Sequence, residues 1–133
     1  KFFQLMDYED IINKLKIMNL DITKEFWYLI RGNIKILDDV KVWMNVCFGN
    51  IQTKNIDGDF ISLALKLLPQ GQFNENTWST WTNLLKIESG KKGKDLYKPL
   101  RLCLTGQDNG PEMASLISIM GKDKVIERLS FDT

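Results

Sequence analysis

The apolar residues of this chain recur at helical spacing from end to end, and nowhere does strand-like alternation persist. Ile11, Ile12, Leu15 and Met18 share one face of a segment over residues 8–19 that Asp7 could cap. Thr23 could cap the next, which carries Phe26, Trp27, Leu29 and Ile30; Gly32 weakens it unless something needs close approach there. Asp38 starts a third, with Val42, Trp43, Val46 and Cys47 inward and Gly49 at its end. Beyond it, Phe60, Ile61, Ala64, Leu65 and Leu68 form a stripe that Pro69 and Gly71 stop. Asn74 to Thr77 offers a cap for a helix with Trp78, Trp81, Leu84 and Leu85 inward, ending near Gly90. Another helix ends at Gly106. Pro111 sits where a first helical turn tolerates proline, with Met113, Leu116, Ile117 and Met120 inward and Val125, Ile126 and Leu129 last. The fold class is therefore all-α. The polar, turn-forming stretch 50–59 is the candidate boundary, giving a first helical lobe over 1–53 and a second over 54–133.

Composition removes many functions. The chain has 133 residues and no histidine, so histidine general bases, Ser-His-Asp systems and histidine-ligated metals are excluded. Cys47 and Cys103 are the two cysteines, too few for a cysteine-only zinc site, and they suit a reduced cytoplasmic compartment. No apolar run approaches the roughly 20 residues of a membrane span. The chain opens at Lys1 without an initiator methionine or signal pattern, and reads as a piece of a longer protein.

Charge is balanced overall but not locally. Wound at 100° per residue, the segment from Lys94 to Thr105 gathers Leu96, Leu100, Cys103 and Leu104 in one arc, with Lys94, Lys98 and Arg101 near the opposite side. Lys91, Lys92, Lys94, Lys98 and Arg101 face only Asp95, a net charge of +4 in a chain that carries +1. One concentrated basic patch on a neutral chain is the footprint of a local polyanion site, although an ordinary solvated helix face has the same composition. Pro99 removes a backbone bond within this helix and should kink it beside Arg101.

Other candidate sites fall away. Trp27, Trp43, Trp78 and Trp81 could stack on unpaired bases, but their spacing among leucines is that of core residues. The loop from Gly90 to Lys94 is no P-loop, since Asp95 replaces the Ser/Thr and no strand precedes it. Asp57, Gly58 and Asp59 lack the alternating ligands and closing glutamate of a calcium loop. Glu9-Asp10 and Asp38-Asp39 read as charges at helix starts. No reaction centre emerges, so residues and physics alone stop at a helical polyanion-binding module. The rival is a protein-interaction module whose tryptophan-rich grooves take a partner helix.

One string is more specific. Gly90-Lys-Lys-Gly-Lys-Asp-Leu-Tyr-Lys-Pro-Leu-Arg-Leu-Cys-Leu-Thr-Gly106, then Gly110-Pro111-Glu112 and Ile119-Met-Gly-Lys122, resembles the C-terminal anticodon-binding region of bacterial glutamyl-tRNA synthetases. Glu25-Phe-Trp, the stretch from Ile30 to Leu37, and Trp78-Ser-Thr-Trp81 resemble the elements upstream. The resemblance implies a two-lobed all-α cage in a monomer. The parent would join glutamate to tRNA(Glu) with ATP and magnesium, through catalytic motifs that have no counterpart here. It puts the anticodon-reading arginine on Arg101 and further contacts on Gly110, Pro111 and Met113, where splayed bases would pack on Pro111 and Met113. Lys91, Lys92, Lys94 and Lys98 would hold phosphates. Where glutamate-only members carry an arginine for the third anticodon base, this chain has Asn33; with the alignment shifted by two, Arg31 takes that place. Asparagine at that position implies a parent that also accepts tRNA(Gln).

Overall fold

A computed structural model describes residues 3–130, and all regular structure among them is helical. A 3-10 turn at Phe3–Leu5 precedes α1 (Tyr8–Ile17) and α2 (Lys24–Ile30). A second 3-10 turn, Arg31–Asn33, leads to α3 (Asp39–Phe48). Then come α4 (Gly58–Lys66), α5 (Thr77–Ser89), α6 (Lys94–Thr105), α7 (Met113–Met120) and α8 (Lys122–Leu129).

Local chemistry sets these limits. Thr23 caps α2, its hydroxyl accepting from the Phe26 amide at 3.0 Å. Asp57 does the same for α4 with Phe60 at 3.2 Å, a capping role rather than that of a calcium ligand. Asp7 precedes α1 without a side-chain cap, and the Tyr8 amide donates to the Tyr28 hydroxyl at 3.1 Å. Helix α1 also stops short of residue 19: Asn19 turns left-handed and the Leu20 amide closes onto the Leu15 carbonyl at 2.8 Å. Helix α4 ends at Lys66, ahead of Pro69, and α7 begins at Met113, two residues after Pro111. Gly32 lies in the 3-10 turn with open space around it, so no close approach explains it.

One buried cluster draws on α1 to α8. The apolar arc of α6 is wholly buried, and Pro99 sits inside that helix without ending it. Trp27 and Trp81 are core residues whose indole N–H groups donate to the carbonyls of Met6 at 2.7 Å and Ala64 at 2.9 Å. Two residues expected inward face out: Val42 and Leu84, each 40% exposed. The segment between α3 and α4 lies along the end of α6, where the Lys54 amide donates to the Leu102 carbonyl at 3.4 Å. The division between residues 53 and 54 falls in this segment, and buried side chains on both of its sides belong to the same cluster.

Arg128 of α8 makes the tightest polar junction. It is 2% exposed. Its guanidinium donates to the Leu104 carbonyl near the end of α6 at 2.6 Å, and to the Asn45 and Gly49 carbonyls at the end of α3 at 3.2 and 3.0 Å. Among the described residues no carboxylate is bonded to it; the cation sits at two helix C-termini, where backbone dipoles favour positive charge. Its place was readable, since three residues after Val125 and one before Leu129 lies on the apolar face of α8.

Candidate nucleic-acid interface

Helix α6 turns its cationic side outward. Lys94 and Lys98 are exposed, while Arg101 is half-buried. These three line a cleft of about 390 Å³ with Tyr97, Asp108 and Asn109. The far wall comes from the turn after α6, and the sequence builds that turn tightly. The Thr105 hydroxyl donates to the Arg101 carbonyl at 2.7 Å and accepts from the Gln107 amide at 3.0 Å. Gly106 follows at φ 73°, where a Cβ would lie 2.8 Å from the Gln52 carbonyl oxygen, so no larger residue fits.

Arg101 is fixed rather than free. Its Nη2 donates to the Pro111 carbonyl at 3.1 Å, while Nη1 is buried with no hydrogen-bond partner among the described residues. Burial pulls its pKa below the ordinary value, and among the described residues no ion pair with an acid holds it. Gly110 makes this arrangement possible. A Cβ there would lie 2.4 Å from the Trp43 ring and 3.0 Å from Arg101 Nη1. Trp43 of α3, 5% exposed, thus props the turn that carries Gly110 and Pro111.

The expected contact residues do not all converge on this cleft. Arg101, Lys94 and Lys98 share the cleft, and Gly110 and Pro111 touch the arginine behind it. Pro111 and Met113, expected as surfaces for splayed bases, are buried here, Met113 5% exposed in the core, so neither offers an open face. The inward face of α7, legible from its spacing with Leu116 and Ile117, claims Met113 instead. Lys92 is exposed, whereas Lys91 bonds Asp57 at 3.3 Å with its ammonium 5.8 Å from the Phe60 ring centre. Asn33, half-buried in the turn after α2, does not line the cleft. Arg31 is committed to the Met6 carbonyl at 3.1 Å, to Asp7 at 3.7 Å and to the Tyr28 ring at 4.6 Å.

Tyr97 is the cleft residue that a count of cations overlooks; its signal was an aromatic beside Lys98 on the polar side of α6. No group of three or more Cys, Asp or Glu side chains among the described residues could hold a metal ion. The donor set is instead cationic and aromatic, which suits phosphates and base faces.

Residues 8–131 match the sequence pattern of the family described as "Anticodon binding domain". The chain belongs to this family. The anticodon-binding domain is 37% identical over 133 residues to "Glutamate--tRNA ligase 2" of Ehrlichia canis, a match over 98% of this chain and 30% of that protein. It is 38% identical over 128 residues to "Glutamate--tRNA ligase 1" of Rickettsia felis, over 94% of this chain and 29% of the other. The domain thus spans about 30% of the length of these curated relatives. Its fold matches a crystal structure of a glutamate tRNA ligase from Elizabethkingia meningosepticum with a TM-score of 0.74. That match has 18% identity, over 98% of this chain and 30% of the other. Among the described residues, no helix is long and apolar enough to cross a membrane.

Proposed function

We propose that this domain is the anticodon-recognition end of a glutamate–tRNA ligase. ATP and magnesium act in a catalytic part of the parent outside this chain, and the parent is a cytoplasmic monomer. The observation that carries the reading is the cleft itself: a fixed guanidinium and two exposed lysines around an aromatic ring, on a chain of nearly neutral charge. Phosphates on Lys92, Lys94 and Lys98 set register, while Arg101, held by Pro111 with Nη1 buried, offers a base only the side of its guanidinium that lines the cleft.

Titrating tRNA onto the chain in rising salt tests this. Three phosphate contacts on a single-stranded loop predict a slope of log affinity against log salt of roughly −2. Binding that ignores salt, or no binding, overturns the reading.

The parent's specificity is the finer part of the proposal. Asn33 is uncharged and can donate or accept, and the neighbouring Arg31 is already committed to Met6, Asp7 and Tyr28. We therefore expect the full-length ligase to charge both tRNA(Glu) and tRNA(Gln). A preference for tRNA(Glu) above about 100-fold, roughly 2.7 kcal/mol, refutes that expectation.

A further inference from the structure

Three aromatic rings run from the core to the rim of the cleft. Trp81 is fully buried and anchored by its bond to the Ala64 carbonyl at 2.9 Å. Trp78, half-buried, meets Trp81 edge to face, with centroids 5.8 Å apart and planes at 79°. Tyr97 lies against Trp78 at 6.2 Å with planes inclined by 32°. The Lys86 ammonium sits 5.6 Å from the Tyr97 ring centre. The tyrosine is nevertheless 37% exposed, and it lines the cleft with Lys94, Lys98, Arg101, Asp108 and Asn109.

This ladder does more than fill space. An exposed aromatic on a helix ordinarily samples rotamers and loses that freedom when something binds. Tyr97 is packed against a tryptophan that is itself packed against a fixed one, so much of that cost is met on folding. Its surroundings also suit a ligand that is aromatic and anionic at once. Lys94, Lys98 and Arg101 outnumber Asp108 around the opening, and the cleft's volume lies at the small end of the ~300–1,000 Å³ range of ligand sites. That is room for one nucleotide and too little for a duplex.

We propose that Tyr97 is a stacking platform for a single unpaired nucleobase, with the adjoining phosphate on Lys94 and Lys98. The assignment rests on the nucleic-acid reading of the domain and names a residue of that site which the sequence resemblance does not. Stacking accepts any base face, so Tyr97 supplies affinity and position, while the edges of Arg101 and Asn109 remain to discriminate.

The test uses the 133-residue chain and an anticodon stem-loop RNA. It compares the wild type with Tyr97→Leu and Tyr97→Phe, against the intact loop and against three loops each carrying one abasic anticodon nucleotide. Tyr97→Leu should weaken binding of the intact loop roughly 5- to 150-fold with an unchanged salt slope, and Tyr97→Phe should retain most of the affinity. One abasic loop should abolish the difference between wild type and Tyr97→Leu. A penalty that is the same for every abasic loop means the tyrosine supports the fold only, and overturns the proposal. So does wild-type affinity for Tyr97→Leu; in that case salt-dependent binding leaves the anticodon reading standing. If the wild type binds no RNA, both fall.

Discussion

Replacing Arg128 with methionine sets two opposed terms against each other. The guanidinium has been taken out of water without a carboxylate partner among the described residues, and burial pulls its pKa below the ordinary value. Removing it recovers that desolvation cost, and methionine keeps most of the apolar stem. Against this stand three carbonyl bonds, which are not equivalent. Gly49 O also accepts from Lys124 at 2.9 Å, and Asn45 O from the Gly49 amide at 3.0 Å, so each keeps a donor and loses about 1 kcal/mol. Leu104 O, past the ladder of α6, has the shortest bond of the three at 2.6 Å and would be left buried at a cost of about 1–3 kcal/mol. After partial offset by desolvation, the net loss is about 2–4 kcal/mol. For a domain of this size that lowers Tm by roughly 6–20 °C. Thermal and urea unfolding followed by circular dichroism measure it. A methionine variant that melts with or above the wild type would show that desolvation outweighs the bonds, and would refute the carbonyl-clamp account.

Gly110→Ala drives a methyl into the Trp43 ring, which is buried and stiff, so about 1–3 kcal/mol of stability should be lost, with weaker RNA binding as Arg101 shifts. Gly32→Ala, with open space around it, is the control for the unfolding assay; equal melting of the two variants refutes the close-contact argument. Lys94→Ala and Lys98→Ala should each reduce the salt slope by about 0.7, and Lys91→Ala by less because Asp57 holds its ammonium; equal slopes for all three would place Lys91 on phosphate too. Burial pushes the Cys47 thiol up to about 12 from its ordinary 9.0. The folded state then holds this proton more tightly than the unfolded one, so the stability it contributes is complete below pH 9 and is lost as pH rises from 9 toward 12. Cys47→Ala should flatten that decline, and an unchanged alkaline profile refutes the assignment.

Helical spacing made the core legible because burial and periodicity are one fact seen twice. Ile11, Leu15, Leu96, Leu100, Leu116 and Ile117 all lie where the period put them. It failed at Val42 and Leu84, which sit at the margins of their stripes, where the neighbouring helix decides burial. The cationic back of α6 was readable for the same periodic reason. What the sequence could not display were contacts between distant segments: Trp43 under Gly110, Asp57 on Lys91, Tyr97 against Trp78. The reading of Met113 is instructive. Its sequence position suits two uses, core and contact, and a helix packed on four others, α2, α3, α5 and α8, turns this side chain to the first.

The tryptophan beneath the Gly110 turn carries a consequence for chimeras. A swap of residues 54–133 between relatives would move the arginine, its proline carbonyl and the glycine notch together, yet leave behind the indole that the notch was cut to fit. A recipient with a smaller side chain at position 43 would present the same motif on a turn with nothing under it. Transplants of this surface should therefore take α3 along.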